Sequence, residues 1–164
     1  MLHHNRDEFL AHLERSAAQT AFPLRLMEKD YYLTIVLDRI HMLSDDLVFK
    51  GGTCLNKIYF SYYRLSEDLD FTLKLPEENI TRVSRRNPFT GEPLFKTGTV
   101  SCLPLVELVA EKTRAAISRL HCAPRDFYDL KYALEAGFDF RDENFLEVLK
   151  IKLKEDGFSE DLSR

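Results

Sequence analysis

Only three cysteines, Cys54, Cys102 and Cys122, occur in the 164 residues, an odd number with no CxxC pair. That pattern suggests neither a disulfide framework nor a zinc site, and the three are read as reduced thiols of a cytosolic protein. Long apolar runs are missing too: no segment approaches the roughly 20 apolar residues of a membrane span. The N-terminal Met1-Leu2-His3-His4-Asn5-Arg6-Asp7 lacks the apolar stretch of a signal peptide. A cytoplasmic protein without membrane contact is expected. Basic charge is not in excess, since 23 Lys and Arg stand against 27 Asp and Glu for a formal net charge of −4. A coat of positive charge is therefore excluded, and any nucleic-acid contact needs a local basic path. Internal repeats and low-complexity tracts are absent. Lys50 precedes the glycines of the one Gly-Gly turn and no Gly-Lys-Ser/Thr follows it, which disfavours a P-loop.

The composition, 45% hydrophobic and 30% charged, is that of a globular chain large enough to bury a core without staples. Its organising stretch is Leu47 to Phe71. A short β-type run (Leu47, Val48, Phe49) leads through Lys50 into Gly51-Gly52-Thr53, then into a helical pattern carrying Leu55, Ile58, Tyr59 and Tyr62. Glycines there let the backbone approach a ligand, and a helix start facing the turn suits a phosphate. Arg64-Leu65-Ser66-Glu67-Asp68-Leu69-Asp70-Phe71 follows, and Asp68, Asp70, Phe71 and Leu73 alternate as in a strand. Carboxylates two apart on a strand share a face at roughly 6.5–7 Å, a spacing from which both can hold a hard cation such as magnesium.

Elsewhere the patterning is mainly helical. Asn5 is placed to cap a helix with the stripe Phe9, Leu10, Leu13, Ala17, and Pro23 to open a second with Leu24, Met27, Tyr31, Ile35, Leu37 and Ile40. Within the second, Glu28-Lys29-Asp30 reads by charge alone as a solvated face. Pro76 to Gly98 is a polar loop or irregular region, with room for a short strand or helix inside it, carrying Arg82, Arg85, Arg86 and Lys96. Helices are expected again from Pro104 to Arg119, from Pro124 to Gly137, and near Asp142 to Lys154, the last burying Phe145, Leu146, Val148 and Leu149. By spacing alone Arg125 and Asp129 form a surface i, i+4 pair, and Phe127 and Tyr128 belong to the core.

The joint order of these pieces resembles the nucleotidyltransferase superfamily of DNA polymerase β-like folds: hydrophobic strand, Gly-Gly turn, short helix, Asp-x-Asp strand. More narrowly, Phe49-Lys50-Gly51-Gly52-Thr53-Cys54-Leu55-Asn56-Lys57 with Arg64 to Phe71 resembles the AbiEii/AbiGii toxin family of bacterial toxin–antitoxin and phage-defence systems. Glu28-Lys29-Asp30 resembles the segment preceding its glycine turn. The helix with Lys112 and Arg119 resembles its second motif, and Arg125-Asp126-Phe127-Tyr128-Asp129-Leu130 its third, so the likeness spans Glu28 to Leu134. The superfamily's third strand carboxylate finds no equally convincing counterpart between Leu75 and Ser101.

The resemblance implies an α/β (α+β) fold: a compact nucleotidyltransferase core with a small mixed sheet flanked by helices over residues 1–103, and a helical C-terminal part over 104–164 packed on it, the two forming one domain or two. It implies transfer of a nucleoside monophosphate from a triphosphate, with magnesium or manganese held by Asp68 and Asp70, phosphates cradled by Gly51, Gly52 and Thr53, and Lys57 and Lys112 on the triphosphate. Asp126 is the third-motif acid, orienting Lys112 or the nucleotide. The implied acceptor is RNA, the 3′ end of tRNA above all, reached through Arg82, Arg85 and Arg86. A cognate antitoxin is the implied partner. A phosphate on Ser66 would add like charge beside the carboxylates, making it a candidate regulatory modification site. Transfer to a protein hydroxyl and a non-catalytic nucleotide- or partner-binding module are the alternatives.

Overall fold

The computed structural model describes residues 2–74, 80–83, 99–121 and 123–158, the side chains of Leu2 and His41 excepted. These separate into two compact units, 1–102 and 103–164.

In the first unit, Asn5 caps α1 (Arg6–Thr20) by accepting the Glu8 amide at 3.4 Å, and Phe9 and Leu13 form the buried part of the expected stripe. Pro23 stands immediately before α2 (Leu24–Arg39), which packs against α1. Leu37 and Ile40 are buried, but so are Asp30 and Asp38. The expected solvated face of Glu28-Lys29-Asp30 is therefore corrected at Asp30.

Beyond α2 the chain enters β1 (Leu47–Lys50), whose Val48 and Phe49 are fully buried. β1 runs into α3 (Gly51–Cys54), and the next turn, Leu55–Tyr59, is π-helical, with the Phe60 amide reaching the Leu55 carbonyl at 2.9 Å. A regular amphipathic helix was expected through Tyr62. Instead the helix stops at Tyr59, and Ser61 and Tyr62 take φ of 51° and 64°.

β2 is Asp70–Leu73 and pairs antiparallel with β1 in the register Lys50 to Asp70, Phe49 to Phe71, Val48 to Thr72 and Leu47 to Leu73. Asp68 lies two residues ahead of this strand, so the expected strand start at Asp68 is corrected to Asp70. β3 (Thr81–Val83) is a short strand inside the Pro76 to Gly98 region and pairs antiparallel with β4 (Val100–Cys102). β4 in turn lies parallel to β1, giving a four-stranded mixed sheet in the order β2-β1-β4-β3. Neither β3 nor β4 contains an acid. Cys54 and Cys102 are buried thiols, with no disulfide among the described residues; Cys122 lies outside them.

The second unit is helical. α4 (Leu105–Ser118) packs against α5 (Pro124–Glu135) and α6 (Glu143–Glu155). Pro124 occupies the first helical position of α5, where its missing N–H costs nothing, and the chain leaves α5 through Gly137 at φ 88°. The Asp142 carboxylate caps α6 by accepting the Phe145 amide at 3.0 Å. Phe138, Phe140 and Phe145 meet edge to face with centroids 5.1–5.4 Å apart. Phe145 and Leu153 are the buried residues of α6, whereas Leu146, expected inside, is exposed. Among the described residues no helix is long and apolar enough to cross a membrane.

Candidate functional site

Gly51 closes the end of β1 with φ of 76°, a left-handed conformation that glycine adopts without cost. The same position has no room for a side chain. A Cβ there would lie 3.0 Å from Cγ of Asp70 and nearer still to its Oδ2. The glycine turn and the Asp70 carboxylate are thus in direct contact, as the antiparallel register of β1 and β2 dictates.

Thr53, two residues on, is buried, and its hydroxyl donates to the Asp68 carbonyl. Its hydroxyl therefore holds the Asp68 segment to the turn instead of facing solvent, where a phosphate cradle was expected. Asp68 and Asp70 are both exposed, and neither forms a salt bridge with another described residue. Ser66 is partly exposed in the segment leading to them, and neighbouring Glu67 meets Lys29 at 3.0 Å on the surface.

Lys57 departs furthest from expectation. An i, i+4 relation to Thr53 would set it beneath the glycine turn in an α-helix, but the turn here is π-helical and Lys57 points to α2. None of its side chain is exposed, and its ammonium lies 2.6 Å from Asp30 Oδ1. Thr34 Oγ1 accepts from it at 2.8 Å, Tyr62 Oη at 3.3 Å, and the Tyr62 ring stands 4.8 Å away. Burial pulls the Lys57 ammonium below its ordinary pKa, with Asp30 opposing. Burial likewise pushes the Tyr62 phenol up, helped by the charge of Asp30.

A second constellation belongs to the helical unit. Lys112 Nζ on α4 lies 2.9 Å from Asp126 Oδ1 and 3.1 Å from Asp129 Oδ2, both on α5. Arg119, which follows α4, places Nη1 2.6 Å from the other oxygen of Asp126. Both carboxylates are buried, so two cations offset two anions where an unpaired charge would be costly. Asp129 is thereby corrected: its partner is Lys112, not Arg125. Phe127 and Tyr128, read as core, are each 49% exposed. The pairing of Lys112 with Asp129 was not foreseen, although a signal existed. Lys112 continues the apolar stripe Leu105, Leu108, Val109 of α4, and a lysine on a buried stripe demands a carboxylate opposite.

Arg82 is exposed on β3; Arg85, Arg86 and Lys96 lie outside the described residues.

Residues 35–93 and 78–164 match the family described as Nucleotidyl transferase AbiEii toxin, Type IV TA system. The chain belongs to the AbiEii family. Its coarse function follows from that membership: it is a nucleotidyltransferase-family toxin of a type IV toxin–antitoxin system, with a cognate antitoxin. No curated protein and no solved structure matches the chain.

Nucleotidyl transfer in an AbiEii protein calls for a divalent cation, and the donor chemistry of Asp68 and Asp70 fits one: two exposed carboxylates without a salt-bridge partner among the described residues. No cluster of three or more His, Cys, Asp or Glu occurs among the described residues. An ion held by such a pair would need further ligands from water and substrate phosphates, as magnesium commonly does.

Proposed function

We propose that this AbiEii protein transfers a nucleoside monophosphate from a nucleoside triphosphate to an RNA acceptor, the 3′ end of tRNA, in the presence of magnesium or manganese. The observation carrying this reading is the contact of Asp70 with the Gly51 turn, where one carboxylate and a side-chain-free stretch of backbone share a place. Asp68 and Asp70 hold the cation. Gly51 and Gly52 admit the phosphates to close approach of the backbone. Held there, a divalent cation would supply Lewis-acid polarisation of the reacting phosphoryl group and positive charge for the leaving oxygens. Lys112 supplies fixed positive charge for the triphosphate, and Asp126 and Asp129 hold its ammonium in one position. Arg82 contributes positive charge toward RNA. Blocking the tRNA end would stop translation, the toxic outcome. A phosphate on Ser66 would repel both the triphosphate and the cation, giving the antitoxin system a means of control.

The test incubates the protein with magnesium, total tRNA and each radiolabelled nucleoside triphosphate in turn. Label on RNA supports the reading and names the base. Label on protein alone favours a hydroxyl acceptor on protein, and label on neither leaves a binding module.

A further inference from the structure

Helix α5 has two chemically distinct faces. Asp126, Asp129 and Ala133 are buried on one, where the carboxylates engage Lys112 and Arg119. The other carries Phe127 and Tyr128, each half exposed, with Lys131 three and four residues further on and so one turn above both rings. Lys131 forms a surface pair with Glu135 at 3.0 Å, a kind of contact that yields readily to a better anion. Arg125 on the same helix is exposed and forms no salt bridge with another described residue; the acids nearest in sequence, Asp126 and Asp129, engage Lys112 and Arg119.

Two half-exposed aromatic rings with two cations on the same helix, Arg125 and Lys131, match the two chemical features of an unpaired polynucleotide: flat bases that stack and phosphates that carry charge. Protein-docking helix faces are typically depleted of lysine at their centre, which is where Lys131 stands. We infer that the outer face of α5 is a binding platform for single-stranded RNA, with Phe127 and Tyr128 stacking on bases and Arg125 and Lys131 meeting phosphates. This inference deepens the RNA-acceptor reading above and rests on it for its biological use. It places the bases on the outer side of the helix whose inner side fixes Lys112.

The test uses the full chain and a short single-stranded oligoribonucleotide bearing 2-aminopurine near its 3′ end, with no nucleoside triphosphate present. Stacking quenches the 2-aminopurine, so binding to the unaltered protein lowers its fluorescence. Phe127→Ala and Tyr128→Ala are each expected to weaken binding by about five- to a hundredfold and to remove part of the quench. Tyr128→Phe, which keeps the ring, retains both. Lys131→Ala and Arg125→Ala are expected to leave the quench of the bound state and each to reduce the slope of log affinity against log salt by about 0.7, the single-strand value for one phosphate contact. Because these side chains are exposed, thermal unfolding of the variants should match that of the parent. Unchanged affinity and quench in the Phe127→Ala/Tyr128→Ala double variant would overturn the inference, as would loss of antitoxin binding with RNA binding intact, which would make this a protein-docking face. RNA binding with the expected losses but no label transfer to RNA would sink the acceptor reading and leave the platform standing; transfer without any effect of the ring variants on binding would do the reverse.

Discussion

The Lys57 ammonium lies 2.6 Å from Asp30 Oδ1, and no part of the Lys57 side chain reaches solvent. A residue with the right charge and spacing for a phosphate contact is instead a buried strut between α2 and the π-helical turn after Gly51. Removing one member of such a pair leaves the other charge buried, at a cost of about 3–5 kcal/mol. Lys57→Met is therefore expected to lower stability by that amount in urea unfolding, and the double variant Asp30→Leu/Lys57→Met to regain most of it. A Lys57→Met protein of parental stability, with only its apparent triphosphate affinity reduced, would return Lys57 to the substrate.

The cluster also predicts a pH response. Burial raises the Tyr62 phenol, so the folded state keeps a proton that the unfolded chain sheds above about pH 10. The stability this supplies is complete below that pH and is lost as pH rises beyond it. Tyr62→Phe removes the phenol, and its thermal midpoint should fall less steeply between about pH 9.5 and 11 than the parent's. Parallel alkaline limbs would show that Tyr62 titrates alike in both states.

Glycine at position 51 answers two demands at once, a φ of 76° and space for Asp70. Gly137 shares the first demand, at φ 88°, but a Cβ there would meet nothing within 4 Å. Gly51→Ala and Gly137→Ala should each cost about 1–2 kcal/mol of backbone strain. Only Gly51→Ala should also displace Asp70 and abolish nucleotidyl transfer. Equal activities in the two variants would mean that the Gly51–Asp70 contact has no part in the reaction.

In the helical unit, Lys112→Met removes the cation shared by two buried carboxylates, Asp126 and Asp129. A loss of about 3–5 kcal/mol is expected, so its inactivity alone proves nothing about substrate. Asp129→Asn keeps the shape of the site and one of the two carboxylates on Lys112. It should raise the KM for the triphosphate at near-parental stability, and an unaltered KM would confine Asp129 to structure.

Much of this architecture follows from local signals. Asn5 caps α1, Pro124 opens α5 and Gly137 ends it, because capping chemistry depends on neighbouring residues alone. The mixed sheet and the family were both within reach, since motif order along Leu47 to Phe71 carries them. Other features were not legible. A π-helical turn inserts one residue into a helical pattern, and periodicity along so short a stretch cannot reveal it, so Lys57 was turned to the wrong face. Asp30 and Lys57 are 27 residues apart, and Lys112 and Asp129 are 17 apart; pairs so distant in sequence are formed by packing, whereas the spacing rule offered Arg125 as the local partner of Asp129.

The most direct test of the central claim compares the protein with its Asp70→Asn variant in transfer of labelled nucleotide to tRNA across a magnesium titration. The account predicts transfer that depends on magnesium in the parent and is undetectable in Asp70→Asn at any magnesium concentration, with both proteins equally stable. Equal transfer by the two would contradict it.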